Sequence, residues 1–322
     1  MERFEGRVAV VTGGGTGMGR ELVTQLASEG CHVAACDVFM DPLEETRKLA
    51  LRGAPEGTLV SVFEADVSIE RQVVAFRDAV ASEHATAHIH LLFNNAGIGG
   101  GGSMVTDDRA DWERTFGVDW GGVYNCTRAF LPMLMAADEG HLVNTSSLNG
   151  LWGSIGPMTP HTAYSAAKFA VRGFSEALIA DFRVNAPHLR VSVVMPGHIG
   201  TSIVLNSAKA HGQEPASLDS DALSRLRGEL VTRGIPVGEV SDDDLRMGVQ
   251  MMGELFRDTA PTSAARAATI ILDGVRNNRW RILVGSDAEI IDSEVRADPE
   301  HAYDVEFWEA MRAKGILGGF GS

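Results

Sequence analysis

Short apolar runs alternate with amphipathic stretches along most of this chain. The run at residues 7–13 ends in glycines, and in the stretch at 18–29 the side chains of Leu22, Leu26 and Ala27 share one helical face. The runs are nearly continuous in Val, Ile and Leu, a pattern typical of parallel strands that are buried on both faces. Seven runs are therefore predicted to be strands, at residues 7–13, 31–37, 58–66, 90–97, 141–147, 190–197 and 279–285.

Helical stretches lie between these strands. Besides the stretch at 18–29, helices are predicted from about Pro42 and near residues 69–83. Alternation of strands and helices from residue 7 to residue 285 predicts an α/β fold. We expect a Rossmann-type doubly wound sheet of seven mostly parallel strands, with helices on both faces.

Two regions depart from this alternation. Residues 201–260 form a polar excursion between two strands, and residues 241–256 within it predict an amphipathic helix whose acidic start suits the helix dipole. After residue 285 the strand pattern ends, and an acidic, glycine-ending extension follows at 286–322. The aromatic residues of this extension are Tyr303, Phe307 and Trp308. We therefore expect one domain over residues 1–285, which includes the excursion, followed by the extension.

Composition narrows the possible functions. The chain has 28 Lys and Arg against 43 Asp and Glu, and its net charge of −15 argues against a nucleic-acid or anionic-membrane surface. No run approaches the roughly 18 apolar residues of a membrane span. The first twenty residues carry no apolar segment of a signal peptide. Three cysteines cannot form a disulfide framework or a four-thiolate metal site, so a reducing compartment, the cytoplasm, is expected.

The first predicted strand leads into a glycine-rich turn, TGGGTGMG, at residues 12–19. Glycines at such a turn let the backbone approach a pyrophosphate that sits on the amides of the helix N-terminus. The alternative is an ordinary structural turn. Asp37 ends the second strand about 20 residues further on, where an acid can accept a hydrogen bond from a ribose 2′-hydroxyl. Because Asp37 would repel a 2′-phosphate, Thr16 is uncharged and no Arg or Lys closely follows Asp37, NAD is favoured over NADP.

A second motif, YSAAK, spans residues 164–168. On a helix the spacing of four residues places Tyr164 and Lys168 on one face. A neighbouring ammonium favours the phenolate, so we expect the pKa of Tyr164 to fall toward the working pH, as a general acid or base requires. Taken alone, such a pair could equally be a surface helix pair.

Together these motifs resemble the classical short-chain dehydrogenase/reductase family over roughly residues 5–285, with NNAG at 94–97, the Ser-Ser of NTSS and PGHIGT at 196–201 as further matches. The resemblance implies that Tyr164 is the catalytic acid or base and that Lys168 binds the nicotinamide ribose. It also implies that Ser147, with Ser146 as the alternative, holds the substrate oxygen. The residues expected to bind the cofactor are Thr12, Gly13, Gly15, Thr16, Gly17, Met18, Gly19, Asp37, Asp66, Val67, Asn94, Ala96, Gly97, Tyr164, Lys168, Pro196, Gly197, Ile199 and Thr201.

The chain departs from the family pattern at two places. In VDWGGV at residues 118–123, Asp119 stands where the family usually has an Asn that supports a water relay to the lysine. An ionised carboxylate accepts hydrogen bonds but cannot donate them, so the effect of Asp119 on turnover is left open. The interval from Ser147 to Tyr164 is also a few residues longer than is common in the family. We expect the additional residues, within 153–162, to bulge beside the active site.

Substrate contacts are expected from Ser147, Asn149, Trp152 and Tyr164, with residues 202–256 as a lid. Aromatic and Met side chains nearby favour an apolar, bulky substrate, although ordinary packing explains each of them singly. Three histidines, at positions 84, 88 and 90, have no carboxylate or thiol to complete a metal site, and we expect no metal. His161 and His198 lie near the motifs without an assigned role.

These observations predict an NAD-dependent enzyme that oxidises a secondary alcohol to a ketone, or catalyses the reverse reduction. Two alternatives remain. The first is an NADP-dependent biosynthetic ketone reductase, and the second is a catalytically weak NAD-binding regulator, for which Asp119 is the support. The resemblance also implies a homodimer or homotetramer, assembled through the helices near 118–136 and 161–185.

Overall fold

The computed structural model describes residues 1–157, 159–232 and 235–316. The glycine-rich end of the extension and Met158 of the inserted segment lie outside the described residues. Nine strands occur in the described part of the chain: β1 (Val8–Thr12), β2 (His32–Asp37), β3 (Val60–Glu64), β4 (Leu91–Asn94), β5 (Gly140–Thr145), β6 (Leu189–Pro196), β7 (Ile199–Gly200), β8 (Thr262–Ser263) and β9 (Arg281–Val284).

Seven of the strands form one sheet in the order β3-β2-β1-β4-β5-β6-β9, and every pairing between them is parallel. The predicted doubly wound sheet is therefore confirmed. The strand order reverses between β1 and β4, and ligands of such sheets bind in the crevice at the carboxyl ends of the strands at that point. The ends of β1 and β4 are Thr12 and Asn94, so the glycine turn and the NNAG segment meet there.

Twelve α-helices lie in the described residues: α1 (Gly17–Ser28), α2 (Met40–Gly53), α3 (Glu70–Glu83), α4 (Arg109–Phe116), α5 (Gly122–Met135), α6 (Thr162–Asn185), α7 (Ile203–Ala210), α8 (Ser220–Thr232), α9 (Asp242–Asp258), α10 (Ala264–Arg276), α11 (Ser286–Ala297) and α12 (Val305–Ala313). One apolar core joins the sheet to α1, α2 and α10, and a second joins its other face to α3, α5 and α6. Helices thus cover both faces, which explains why the strands are apolar on both sides. None of the described helices is long and apolar enough to cross a membrane.

A two-stranded parallel ladder, β7 with β8, closes the base of the excursion. Ile199 pairs with Thr262 and Gly200 with Ser263, so the two ends of the excursion are held side by side. Between them lie α7, α8 and α9, the segment that the sequence predicts to be a lid. The ladder was not predicted, because strands of two residues leave no periodic signal in a sequence.

The acidic extension packs against the core of the protein. Ile291 of α11, Met311 of α12 and Ala302 in the connection between them are buried together with the segment that follows β5. Trp152 of that segment is only 1 % exposed, and its Nε1 donates to the carbonyl oxygen of Ala302 at 2.7 Å. The sequence predicts that Trp152 contacts substrate, but its indole packs against the extension. That position buries the apolar ring and also gives its N–H group an acceptor.

Candidate active site

Two adjoining hollows lie at the carboxyl ends of the strands. A narrow cleft of about 140 Å³ runs past the glycine turn, and a wider cavity of about 470 Å³ lies beside Tyr164. The residues that line both are Met18, Asn95, Gly97, Thr201 and Ile203. Because they share these residues, an elongated ligand can extend from one hollow into the other.

The glycine turn shapes one wall of the cleft. Gly13 and Gly17 have φ angles of +66° and +54°, which favour glycine over residues with a Cβ. A Cβ on Gly13 would lie 2.8 Å from the Cα of Ala96, so the turn also needs glycine to fit against the NNAG segment. At the N-cap of α1, Thr16 makes no side-chain capping bond. The first amides of α1 are therefore available to an anion in the cleft.

Asp37 lies at the far end of the cleft. Its Oδ2 accepts from the amide of Gly15 at 2.9 Å, and its Oδ1 accepts from the amide of Phe39 at 3.1 Å. Burial raises the pKa of Asp37 above its ordinary value, and these two amides oppose the shift. A cation that sequence reasoning missed comes from the lid: the Nζ of Lys209 lies 4.5 Å from the Phe39 ring centroid. Lys209 is far from Asp37 in the sequence, so no local pattern could have placed it here.

The opposite wall holds a second acid. Oδ2 of Asp66 pairs with Nη1 of Arg114 at 2.7 Å, and its Oδ1 accepts from the hydroxyl of Ser68 at 2.6 Å. Burial alone would raise the pKa of Asp66, but the Ser68 hydrogen bonds and the Arg114 guanidinium hold it below its ordinary value. Asp66 and Val67 both line the cleft, together with Arg114.

Helix α6 carries the YSAAK motif along the wider cavity. Nζ of Lys168 lies 5.2 Å from the Tyr164 ring centroid and donates to the carbonyl oxygen of Thr145 at 3.2 Å. The hydroxyl of Ser147 faces the Tyr164 phenol. The hydroxyl of Ser146 instead donates to the backbone oxygen of Lys168 at 2.7 Å. Ser147 is therefore the serine that stands opposite the phenol.

The pKa of Tyr164 does not fall as the sequence predicted. Burial raises it, the charge of Lys168 opposes this, and the charge of Asp119 adds to it, so that the net direction is upward. The predicted direction was wrong, because the spacing of two residues on a helix carries no information about how deeply the fold buries them.

Asp119 explains part of this result. It lies in a π-helical turn at Gly117–Gly121, between α4 and α5, and is fully buried. Its Oδ1 accepts from Nζ of Lys168 at 3.1 Å and from the amide of Ile98 at 3.2 Å, and its Oδ2 has no partner among the described residues. Burial raises the pKa of Asp119 to about 6 against the attraction of Lys168. Burial alone would lower the pKa of Lys168, but Asp119 raises it, so Lys168 stays charged.

The PGHIGT segment forms the floor of the cavity. The amide of His198 donates to Oδ2 of Asp287 at 2.5 Å, and Nε2 of His198 contacts the carbonyl oxygen of Phe256 at 2.6 Å. Oδ1 of Asp287 is buried and has no partner among the described residues. A Cβ on Gly197 would lie 2.2 Å from that carboxyl group, so glycine is required for the contact. Asp287 lies near the start of the extension, and no sequence pattern links it to the site.

Helix α7 covers both hollows. Nδ2 of Asn206 donates to Oγ1 of Thr16 at 2.9 Å, and the hydroxyl of Ser207 accepts from the amide of Gly99 at 2.7 Å. His211, just beyond α7, contacts the carbonyl oxygen of Gly99 at 3.0 Å. The predicted lid therefore bridges the glycine turn and the loop after β4.

Most residues expected to bind cofactor line one of the hollows: Gly13, Thr16, Gly17, Met18, Asp37, Asp66, Val67, Ala96, Gly97, Tyr164, Lys168, Pro196, Gly197, Ile199 and Thr201. Four others lie behind the lining, namely Thr12, Gly15, Gly19 and Asn94. Asn94 is buried in the sheet, where its Nδ2 donates to Oδ1 of Asn144 at 2.9 Å. The neighbouring Asn95 lines both hollows instead, and its buried Oδ1 has no partner among the described residues. Ser147 and Asn149 line the cavity, whereas Trp152 does not.

The rings of His88 and His90 lie 5.0 Å apart, but hydrogen bonds hold His84 and His90 at different places. Nε2 of His84 contacts the hydroxyl of Ser61 at 2.7 Å, and Nδ1 of His90 accepts from the amide of Val8 at 3.1 Å. Within residues 1–157, 159–232 and 235–316, no group of three or more His, Cys, Asp and Glu side chains could hold a metal ion.

Comparison with known proteins agrees with this geometry. The short chain dehydrogenase family matches residues 7–212. SadH of Mycobacterium tuberculosis, named as an oxidoreductase, is 36 % identical over 293 residues, 91 % of each chain. Levodione reductase of Leifsonia aquatica is 32 % identical over 208 residues, 64 % of this chain and 74 % of that protein. The crystal structure of a short chain dehydrogenase/reductase from Burkholderia phymatum in complex with NAD is 29 % identical, with a TM-score of 0.73, and the match covers 94 % of this chain and 95 % of that one.

The matched region contains the glycine turn, the NNAG segment, Ser147 and the Tyr164–Lys168 pair, and the structure brings these segments to the same two hollows. The resemblance predicted from the motifs is thus confirmed by the family match. The chain belongs to the short-chain dehydrogenase/reductase family of oxidoreductases.

Proposed function

We propose that this protein catalyses the NAD-dependent oxidation of a secondary alcohol to a ketone, or the reverse reduction. The observation that supports it most directly is the meeting of Tyr164, Ser147 and Lys168 in one cavity that adjoins the cleft of the glycine turn. A nicotinamide dinucleotide bound in the cleft would supply the hydride acceptor. The protein would supply orientation, a proton-transfer group and the exclusion of water.

The residues of the cleft fit such a cofactor. The uncapped amides of α1 would hold the pyrophosphate, and Asp37 would accept from a ribose hydroxyl. The unpartnered Oδ1 of Asn95 offers an acceptor where the cleft meets the cavity. By resemblance, Asp66 and Val67 would flank the adenine. Ile199 and Thr201 of the cavity floor would contact the carboxamide, while Pro196 and Gly197 shape the same segment.

NAD is the dinucleotide that we propose. The carboxylate of Asp37 lines the cleft at the ribose end, where it would repel a 2′-phosphate. The observation that favours NADP is Lys209, whose ammonium lies over Phe39 at the same end. Comparison of kcat/KM for NAD and NADP decides between them, and a clear preference for NADP would contradict the role given to Asp37.

In the proposed reaction, Ser147 and Tyr164 bind the carbinol oxygen of the substrate, and the Tyr164 phenolate takes the hydroxyl proton while hydride leaves the carbon. The positive charge of Lys168 stabilises the phenolate. Asp119 opposes this stabilisation, because its carboxylate pairs with the same ammonium. In the direction of reduction, Tyr164 donates the proton to the ketone oxygen.

We propose an apolar and bulky substrate. Beyond the polar groups at Tyr164, the wall of the cavity includes Leu148, Ile155, Val204 and Phe256. A relative named levodione reductase supports carbonyl and carbinol chemistry for this site. The test is a spectrophotometric screen for NADH formation over apolar secondary alcohols of increasing size. Substrates with larger apolar groups should have higher kcat/KM, and no turnover on the whole panel would refute the proposal.

The buried Lys168–Asp119 pair favours one other function, a catalytically weak NAD-binding regulator. Tight NAD binding, measured by calorimetry, together with no turnover of any alcohol would support that function over ours. Restoration of turnover by Asp119→Asn would then identify the carboxylate as the cause.

We also propose a homodimer or homotetramer assembled through α5 and α6. These helices expose large apolar side chains, among them Tyr124, Phe169 and Val184, which a contact between two copies of the chain would cover. The three cysteines are buried free thiols, which suits the reducing cytoplasm. Light scattering at micromolar concentration would show a mass of one chain if the proposed assembly is wrong.

A further inference from the structure

The cavity beside Tyr164 contains several polar side chains, and most of them are occupied by other parts of the protein. Nδ2 of Asn149 donates to the carbonyl oxygens of Trp152 and Ser154 at 3.2 and 3.0 Å. Nδ1 of His211 contacts Asp111 at 3.2 Å. These groups shape the cavity, but their hydrogen bonds leave them little capacity for a ligand.

His161 differs from them. It lines the cavity at the N-cap of α6, where its side chain makes no capping bond. No hydrogen bond from the described residues reaches either ring nitrogen. The side chain is half-buried, and its neutral imidazole carries one donor and one acceptor that can bind a ligand in the cavity.

The imidazole lies directly beside the reacting group. Its ring centroid is 4.7 Å from that of Tyr164, with the two planes inclined by 39°. Burial lowers the pKa of His161 to about 4, so the ring is neutral at physiological pH. It can therefore hydrogen-bond an uncharged oxygen without introducing a charge next to the phenol.

These distances restrict which part of a substrate can reach His161. A carbinol oxygen bound to Tyr164 and Ser147 lies about 2.7 Å from the phenol oxygen. Because the imidazole flanks the phenol ring, it would face the carbon atoms next to the reacting carbon of such a substrate. Leu148, Ile155 and Val204 supply apolar parts of the remaining wall.

We propose that His161 is a specificity-determining residue that hydrogen-bonds a second oxygen of the substrate, one or two carbons from the reacting carbinol. The preferred substrates are then apolar molecules with two neighbouring oxygens, that is, diols and hydroxy ketones, over the matching simple alcohols. This inference rests on the proposed alcohol oxidation and adds the substrate class to it.

The test compares matched pairs of alcohols: cyclohexanol with cyclohexane-1,2-diol, and 1-phenylethanol with 1-phenylethane-1,2-diol. For each pair the quantity measured is the ratio of kcat/KM for the diol to that for the simple alcohol, with NAD saturating. The wild type should prefer the diol. His161→Phe keeps a planar ring beside Tyr164 but removes both nitrogens, and should lower the ratio about tenfold or more.

Two further variants distinguish the loss of a hydrogen bond to the substrate from a general loss of activity. His161→Gln retains a donor and an acceptor, and should keep the ratio within about threefold of the wild-type value. His301→Phe makes the same exchange at an exposed position and should not change the ratio. Because a ratio is compared, an equal loss of activity on both alcohols cancels.

The outcomes are distinct. A wild-type ratio of one or less, or a ratio that His161→Phe leaves unchanged, would overturn the role of His161 while the alcohol oxidation stands. If neither member of any pair yields NADH although NAD binds, the proposed function fails and this inference fails with it. The ratio should also be constant between about pH 6 and pH 9, since the ring does not titrate there.

Discussion

Replacement of Asp119 by Asn should make the protein a better alcohol dehydrogenase near neutral pH. The carboxylate lies 3.1 Å from Nζ of Lys168, which lies 5.2 Å from the Tyr164 ring centroid. These two distances place the carboxylate within about 8 Å of the phenol ring. The negative charge of Asp119 disfavours ionisation of Tyr164 and so raises its pKa. Burial raises the pKa of Asp119 itself to about 6, so Asp119 is mostly ionised above that pH.

The size of the effect follows from Coulomb's law. One unit charge at about 8 Å contributes about 2 kcal/mol at an effective dielectric constant of about 20. Because a shift of one pKa unit corresponds to about 1.4 kcal/mol, Asp119→Asn should lower the pKa of Tyr164 by about 1 to 1.5 units. The phenolate fraction, and with it the oxidation rate on the acidic limb of the pH profile, would rise about tenfold.

The assay is the pH dependence of kcat/KM for alcohol oxidation, whose acidic limb reports the ionisation of the free enzyme. Asp181→Asn, an equal charge change at an exposed position of α6, is the matched control and should not move the limb. A limb that stays in place, or that moves to higher pH in Asp119→Asn, would refute the electrostatic reasoning. Loss of activity in Asp119→Asn with intact NAD binding would show that turnover requires the carboxylate itself.

Three other substitutions test the surroundings of the site. Asp287→Ala removes the acceptor of the His198 amide and should raise KM for NAD several-fold. Asp287→Asn keeps an oxygen and should have a KM for NAD close to that of the wild type. Equal effects of the two substitutions would contradict a positioning role for Asp287. Lys209→Ala should lower kcat/KM for NADP about threefold and leave that for NAD within about twofold, which cofactor titrations can check. Trp152→Phe leaves the Ala302 carbonyl without its donor and should cost about 1–3 kcal/mol of unfolding free energy in urea titrations, with an unchanged value as the contrary result.

The architecture could be predicted because its signal is local and repeated. Most strands of the main sheet are mainly apolar runs, and the helices between the strands have one buried face, so the period of the pattern changes at the boundaries. The short ladder of β7 and β8 could not be predicted in this way, since only two residues of each strand pair. The extension also looked independent of the domain, because the sequence shows its charge but not its buried residues.

In the site, too, features set by local spacing could be predicted, and features set by long-range contacts could not. The glycine turn and the Tyr164–Lys168 pair are encoded by spacing within one element or one turn, and the structure places residues of both along the hollows. Asp287 and Lys209 reach the site from helices far away in sequence. The direction of the Tyr164 pKa also depends on burial, which only the folded chain determines. Long-range contacts and burial were therefore the parts that the sequence could not supply.

The central claim is that Tyr164 transfers the proton in an NAD-dependent alcohol oxidation. Its most direct test is the rate of NADH formation by the wild type and by Tyr164→Phe on the best alcohol of the screen, with NAD affinity measured in parallel. The account predicts that the variant loses nearly all turnover, by about 100-fold or more, and keeps its affinity for NAD. A Tyr164→Phe variant that turns over at the wild-type rate would contradict it.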